Sequence, residues 1–208
     1  MQNWVFNECR YPDDIYDRVW YRSTLKPESS LLETMPDSVD LGNSIGRPPL
    51  TVVQSILVAK NINYTISPSS VVSPLTRTTT TGQHNYSVML YFCEINKSAV
   101  NRTGLRVFNL TLSIGSSALI DQENVDIFSL VGANKLWEFG TGKTAVGPYA
   151  GDINIQIVTL PSSPLSASIA GAEVLQLLSN PMLTPTASLD GRHEFVCVYV
   201  SVDVVHTA

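Results

Sequence analysis

Hydrophobic residues along this chain fall in short runs separated by turn-forming residues, which is the pattern of an all-β protein. The most apolar run, residues 84–95, reads HNYSVMLYFCEI and is hydrophobic on both faces of an extended strand. A strand buried on both faces usually lies in the interior of a sheet. The pattern therefore predicts a central strand at this position.

Two further segments alternate with the period of two that a half-buried strand requires. In residues 105–114, Phe108 and every second residue after it face the core, while Asn109 and its alternates face the wetter side. Residues 152–160 alternate in the same way, beginning with Ile153. Both segments are predicted to be strands with one face in the core.

Weaker patterns complete the prediction. β-branched or apolar runs predict five more strands, at residues 48–59, 62–66, 125–130, 169–178 and 195–205. Residues 21–47 are polar and turn-rich, and they are predicted to form a long surface connection with little regular structure. No window has a helical period with caps at both ends. The predicted fold is an antiparallel β-sandwich.

Composition limits the classes of protein that remain. The 208 residues are 44% hydrophobic and 15% charged, which is enough for one sizeable domain with a core. The net charge of −5 and the scattered Lys and Arg residues exclude nucleic acid as an expected partner. No apolar run is long enough to span a bilayer, so no transmembrane segment is predicted. The first residues, MQNWVFNECRYPDD, do not form a signal peptide.

The cysteines do not decide the compartment, whereas the sequons indicate one. Cys9, Cys93 and Cys197 have no metal-ligand spacing, and an odd number cannot all pair within one chain. No metal or other cofactor is therefore predicted. Five N-x-[ST] sequons favour an extracellular origin, which a fragment or a gene model lacking its true start would reconcile with the missing signal peptide. The candidate glycosylation sites are Asn63, Asn85, Asn96, Asn101 and Asn109.

One motif imitates a nucleotide site. Residues 140–144 read GTGKT, like the end of a phosphate-binding loop. The full motif needs a glycine five positions before Gly142, where Trp137 stands, and it needs a helix afterwards. The following VGPYAG sequence breaks a helix, so a glycine-rich hairpin or loop is predicted instead.

Catalysis is the weakest of three functional hypotheses. The chain lacks a serine nucleophile elbow, and no cysteine has an evident histidine or acid partner. A glycosidase would need two facing carboxylates, which the sequence cannot pair. Trp137 and Tyr149 are predicted to lie in glycine-rich loops and are candidates for stacking on a sugar. The alternative is that both aromatic rings cover an edge of the core.

The segment of residues 10–20, RYPDDIYDRVW, is too charged for a core strand and too aromatic for a disordered tail. A structural clasp at the entrance to a domain is the favoured interpretation; a cation site or a ligand loop is the alternative, although the pattern of a calcium loop is missing. Tyr16, Val19 and Trp20 are predicted to pack on the sandwich. The motif residues are Tyr11, Pro12, Asp13, Asp14, Tyr16, Asp17, Arg18 and Trp20.

This segment resembles the YPDDPYDRIW-type motif of plant malectin-like domains, the extracellular parts of many receptor-like kinases. Four further motifs of that family appear in the expected order. The resembling segments are PPLTVVQ at 48–54, YFCEI at 91–95, RVFN at 106–109 and IAGAEV at 169–174. The resemblance covers roughly residues 3–183. Two departures are Ser55-Ile56, where the family usually has Thr-Ala, and residues 184–208, which do not follow its pattern.

The resemblance implies a malectin-type, jelly-roll-like sandwich and a binding module instead of a catalyst. It divides the chain into an inter-domain joint (1–20), the sandwich (21–183) and an atypical tail (184–208). The sandwich would be the second of two tandem sandwiches, present as a fragment without the kinase. The implied location is the extracellular side of the plasma membrane. The implied partners are cell-wall carbohydrate or a secreted peptide, together with a co-receptor. The alternative is a structural or interaction sandwich with no small ligand.

Overall fold

The structure is a computed structural model that describes residues 21–22, 31–34, 39–67, 83–95, 102–142, 145–177 and 195–201. These residues form thirteen strands and two short helices. The strands are β1 Tyr21–Arg22, β2 Leu31–Thr34, β3 Ser55–Ala59, β4 Asn61–Ile66, β5 His84–Cys93, β6 Phe108–Ile114, β7 Ser117–Val125, β8 Leu136–Gly140, β9 Val146–Tyr149, β10 Ile153–Thr159, β11 Ala167–Ile169, β12 Gly171–Leu177 and β13 Phe195–Ser201. The helices are α1 Leu50–Val53 and α2 Ile127–Val131.

The strands form three sheets. The largest has the order β1-β13-β12-β5-β8, and β9 also pairs with β5. A four-stranded sheet has the order β4-β10-β6-β7, and a three-stranded sheet has the order β11-β3-β2. All of these strand pairs are antiparallel except β1 with β13. The predicted all-β class is therefore confirmed.

Two groups of buried side chains follow from the alternation of the strands. The main core lies between the sheets and includes Leu90 and Phe92 of β5, facing Leu110 of β6 and Ile155 of β10. The opposite face of β5 carries Tyr91 and Cys93, which belong to a second cluster with Val52 and Val53. We call this second cluster the outer core. Strand β5 is thus buried on both faces and lies between β12 and β8, as its sequence predicts.

The strand predicted at residues 48–59 is only half correct. Strand β3 occupies its second part, but Leu50–Val53 forms a single helical turn after Pro49. Consecutive side chains of a strand point to opposite faces, whereas a helical turn places neighbouring side chains about 100° apart. The turn therefore buries both Val52 and Val53 on the outer core. Tertiary packing here overrides the β preference of valine.

The prediction of a strand at residues 125–130 is wrong, because Ile127–Val131 forms helix α2. The side chain of Asp126 caps the helix by accepting a hydrogen bond from the Ser129 amide at 3.1 Å. The helix ends at Gly132, whose φ of 86° suits glycine. The preceding strand, β7, was not predicted, because much of it is exposed and its apolar alternation is weak.

Three other predictions meet the structure differently. The irregular connection predicted at residues 21–47 contains strands β1 and β2. The apolar run at 169–178 is divided at Ala170 between β11 and β12, which belong to different sheets. The strand predicted at 195–205 is confirmed for Phe195–Ser201, whose backbone pairs with β12 and β1. The 10–20 segment, with the predicted packing of Tyr16, Val19 and Trp20, lies outside the described residues.

Candidate functional site

One edge of the largest sheet is formed by two short strands instead of one long strand. Strands β8 and β9 pair successively with the same side of β5, and the pairing is interrupted after Gly140. The Thr141 amide donates to the Val88 carbonyl, and the Val88 amide donates to Thr141 Oγ1, both at 2.9 Å. Ser87 Oγ donates to the Gly142 carbonyl at 2.5 Å. These bonds hold the interruption in a defined position.

A row of aromatic rings on strands β6, β5 and β8 leads from the core to this edge. Phe92 and Phe108 are fully buried, with ring centroids 5.8 Å apart. Trp137 lies 5.2 Å from Phe92 and 4.9 Å from Phe139, and it stacks on the latter. Trp137 and Phe139 are half-buried and pack against the main core. We call Trp137 and Phe139, together with Tyr149 farther along the same side of β5, the aromatic edge.

Strand β7 of the four-stranded sheet and the helix α2 that follows it contribute hydrophobic side chains that are also only partly covered. Leu119 and Ile120 of β7 and Val131 of α2 pack against the main core without being fully buried. Helix α2 contacts β8, so it connects the two sheets on this side of the sandwich. Leu130 on the same helix is 55% exposed. Hydrophobic surface therefore remains accessible beside the aromatic edge.

The two aromatic residues proposed from sequence occupy strands, which corrects the prediction that they lie in a glycine-rich loop. Trp137 belongs to β8 and Tyr149 to β9, where Tyr149 pairs with His84. Both rings are half-buried and pack against the main core. The GTGKT segment begins at the end of β8 and is followed by β9 instead of a helix. The helix that a phosphate-binding loop requires after the motif is replaced by a strand.

Two acidic side chains hold the outer core together. Tyr91 donates its hydroxyl proton to buried Glu173 at 2.5 Å. Glu138 of β8 accepts from the amides of Ile45 at 2.7 Å and Gly46 at 3.0 Å, and also from Ser44 Oγ. A Cβ at Gly46 would overlap the Tyr91 hydroxyl, so the chain approaches this closely only with glycine. These carboxylates position the segment that covers β5.

A buried ion pair lies at one end of the sandwich. Arg106 Nε donates to Glu94 Oε2 at 2.8 Å, with exposures of 2% and 1%. Arg106 also donates through a second nitrogen to the Ser166 carbonyl. Glu94 follows β5, Arg106 precedes β6 and Ser166 precedes β11, so the contacts join all three sheets. The sequence placed both charges in family-like motifs but did not predict their pairing.

Two ionisable side chains of β5, Cys93 and Tyr86, are held in their neutral forms by burial. Burial, with a smaller contribution from Glu94, raises the pKa of the Cys93 thiol to about 12. Burial also raises the pKa of the Tyr86 hydroxyl. Within residues that the structure describes, His, Cys, Asp and Glu form no group of three able to hold a metal ion. No helix in the described ranges has the length and hydrophobicity to cross a membrane.

Three of the five sequons lie within the described residues. Asn63 of β4 is exposed, Asn109 of β6 is half-buried, and Asn85 of β5 is half-buried. Asn109 lies on the wetter face of its strand, as its sequence predicts. Asn96 and Asn101 are outside the described ranges.

The arrangement defines an antiparallel β-sandwich with a partly covered aromatic edge, an architecture that suits noncovalent recognition. Aromatic faces can stack on sugar rings or on apolar side chains of a peptide. The chain belongs to the malectin-like domain family, whose model matches residues 2–177. Malectin-like domains occur in the ectodomains of plant receptor-like kinases, where they are receptor modules.

Relatives agree with this assignment. The chain is 27% identical over 189 residues to a nodulation receptor kinase of Pisum sativum, covering 89% of this chain and 18% of that protein. The plant receptor-like kinase ANX1 has a similar structure, with a TM-score of 0.55 and 14% identity over 77% of this chain and 43% of that one. The ANX2 ectodomain of Arabidopsis thaliana is similar with a TM-score of 0.51 and 14% identity, over 77% of this chain and 44% of that one. The chain thus spans less than half the length of these relatives.

Proposed function

We propose that this chain is a ligand-recognition module on the extracellular side of a plant receptor-like kinase. Its ligand is a cell-wall carbohydrate or a secreted peptide, with a co-receptor as a further partner. Membership of the malectin-like family and similarity to a nodulation receptor kinase support the receptor assignment. The observation that carries the binding role is the aromatic edge, where Trp137 and Phe139 stack at the border of the sandwich without being fully covered.

The aromatic edge has two properties that a binding surface needs. Its rings are positioned by strand pairing, since Trp137 lies opposite Phe92 and Phe139 opposite Leu90 in the register of β8 with β5. A surface that is rigid before binding loses less conformational freedom when a ligand is bound. The hydrophobic side chains of β7 and α2 extend the partly covered surface beyond the aromatic rings.

A structural or interaction sandwich with no small ligand is the second candidate. It is favoured by the packing of Trp137 and Tyr149 against the main core, because rings in that position also cover the edge of the core. The two candidates differ in what the exposed part of each ring does, and substitution separates them.

The test compares ligand binding and stability in the same variants. Secreted protein is screened against cell-wall oligosaccharides on an array and against secreted plant peptides. Trp137→Ala is expected to lower affinity for the bound ligand at least about tenfold, a loss of roughly 1.4 kcal/mol. It should also lower the free energy of unfolding by about 1–3 kcal/mol, since a partly buried aromatic ring is removed. Tyr149→Phe should preserve the fold while changing the polar tip of the edge.

Leu50→Ala is the matched control, because Leu50 is 37% exposed and belongs to the segment that covers the opposite face of β5. This variant should bind ligand as the unmodified protein does. Loss of stability in Trp137→Ala with unchanged affinity would assign the aromatic edge to the core alone. Absence of binding to every oligosaccharide and peptide would favour the second candidate.

A further inference from the structure

The outward face of the four-stranded sheet is polar along three adjacent strands. In β4, Asn61, Asn63 and Thr65 are exposed and alternate with buried residues. Asn154 and Gln156 of β10 and Asn109 of β6 continue this face. These side chains point away from the main core, because the alternate residues of the same strands form it. We call this surface the polar face.

Two of the three described sequons lie on the polar face. Asn63 is opposite Gln156, which in turn is opposite Thr111, two residues beyond Asn109. With strands ~4.8 Å apart and a rise of ~3.3 Å per residue, Asn63 and Asn109 are ~12 Å apart. The sequon hydroxyl of Thr65 is exposed and donates to Asn154 Oδ1 at 2.9 Å. Asn63 is itself exposed and lies on the solvent side of β4.

Asn109 is half-buried, and the hydrogen bond that holds its side chain uses the amide oxygen. Its Oδ1 accepts a hydrogen bond from the Asn124 amide at 3.1 Å, which holds the side chain by its oxygen. N-glycosylation substitutes the nitrogen and retains this oxygen, so the contact and the modification are compatible.

The third described sequon is different. Asn85 is on the central strand β5, between β12 and β9, and its Oδ1 is buried. Its sequon hydroxyl, Ser87 Oγ, is buried and donates to the Gly142 carbonyl, a bond that holds the chain between β8 and β9. Asn85 as a whole is half-buried, but an oligosaccharide on its amide would lie beside the buried Oδ1 and the buried Ser87 hydroxyl and would crowd the bond to Gly142.

We propose that the polar face is a glycan-bearing face. Asn63 is its main modified residue, Asn109 is modified to a smaller extent, and Asn85 remains unmodified. The inference rests on the extracellular location in the proposed function. In the reaction, Asn63 Nδ2 forms a bond to the anomeric carbon of a lipid-pyrophosphate-linked oligosaccharide. The bond from that carbon to the pyrophosphate oxygen breaks, the lipid pyrophosphate leaves with the electron pair, and one Nδ2 proton passes to solvent.

A consequence follows for binding. Glycans on the polar face would cover a surface several strands wide and exclude protein partners from it. The aromatic edge and the segment over the outer core lie elsewhere on the sandwich and would remain accessible. Removal of the glycan at Asn63 should therefore leave ligand affinity within about twofold of the unmodified value.

The experiment uses the full chain, secreted by plant cells behind a cleavable leader, with glycopeptide mass spectrometry. Asn63 should be modified in most molecules, Asn109 in a substantial fraction and Asn85 in almost none. Asn63→Gln should remove one glycan, whereas Asn61→Gln, on the same exposed face of β4, should remove none. Thr65→Val should abolish modification at Asn63 and Thr65→Ser should preserve it.

Secreted protein with unmodified Asn63, or with Asn85 modified in most molecules, would overturn the inference. The proposed function fails differently. A chain that is glycosylated at Asn63 but binds no carbohydrate or peptide would refute the recognition role and leave the glycan-bearing face intact. A chain that binds ligand but carries no glycan at Asn63 would refute the glycan-bearing face and leave the recognition role intact.

Discussion

At the scale of single residues, the buried polar groups of this sandwich are structural. A buried carboxylate is costly unless hydrogen bonds and opposite charges compensate it. Glu173 accepts from Tyr91, and Glu94 pairs with Arg106. These four residues belong to three of the motifs by which the chain resembles malectin-like domains. The motifs therefore mark the polar contacts that the fold requires.

Cys93 supplies a prediction at this scale. Its thiol is fully buried, and its pKa of about 12 leaves almost no thiolate near neutral pH. Iodoacetamide at pH 8 is expected to modify Cys93 at least about 100-fold more slowly in the native protein than in urea, measured on the peptide that contains it. Because the pKa is raised, the folded state holds the Cys93 proton more tightly than the unfolded chain does. The thiol therefore contributes to stability below pH 9, and this contribution is lost as the pH rises from 9 to about 12.

The unfolded chain is the internal control, because the thiol there has its ordinary pKa. Equal rates of modification in the native and unfolded protein would contradict the burial of Cys93.

At the scale of elements, the outer strands on this side of both sheets are irregular, namely β7 in one sheet and the interrupted β8 and β9 in the other. Strand β7 changes register with β6 at two places and carries exposed Asp121 and Glu123. Bulges and charges on an outer strand disfavour pairing with another chain. On the other sheet, the interruption between β8 and β9 shortens the outer strand. Recognition at this edge is therefore expected to use side chains and not the addition of a strand.

Thr141 tests the interruption between β8 and β9. Its hydroxyl accepts the amide proton of Val88, a residue of the central strand that is fully buried. Thr141→Val keeps the shape of the side chain and leaves this amide without its acceptor, so the free energy of unfolding should fall by about 1–3 kcal/mol in urea titration. Thr141→Ser retains the hydroxyl and should cost less than about 1 kcal/mol. Equal losses in both variants would show that the hydroxyl is unimportant.

At the scale of the whole molecule, the Glu94–Arg106 pair joins elements that belong to three sheets. Because it lies where β5 ends and where β6 and β11 begin, its loss affects the packing between sheets more than any one strand. Removing one member leaves the other charge buried without compensation. The pair is therefore expected to stabilise the sandwich as a single cooperative unit.

Arg106→Met should lower the free energy of unfolding by about 3–5 kcal/mol, as expected when one partner of a buried ion pair is removed. Thermal unfolding monitored by circular dichroism measures this change. The double variant Glu94→Leu with Arg106→Met removes both charges and should recover part of the loss. A double variant that is less stable than Arg106→Met alone would show that the isolated Glu94 charge is not the cause.

The sequence predicted the parts of the fold in which hydrophobic pattern and burial coincide. Strands β5, β6 and β10 have strong patterns because one or both of their faces enter the main core. Helices α1 and α2 were missed because each is a single turn whose residues favour strands in isolation. Strands β7, β8 and β9 were missed because partly exposed outer strands need little hydrophobic alternation.

For the candidate site, the sequence by itself selected Trp137 and Tyr149, since a large aromatic ring beside glycines is conspicuous in any chain. Only the tertiary structure placed them in strands and stacked Trp137 on Phe139, because strand pairing brings together residues that are distant in sequence. The same holds for Asn63 and Asn109, which are 46 positions apart along the chain and lie on one face. Local patterning thus determined the class of fold, and long-range pairing decided which side chains share a surface.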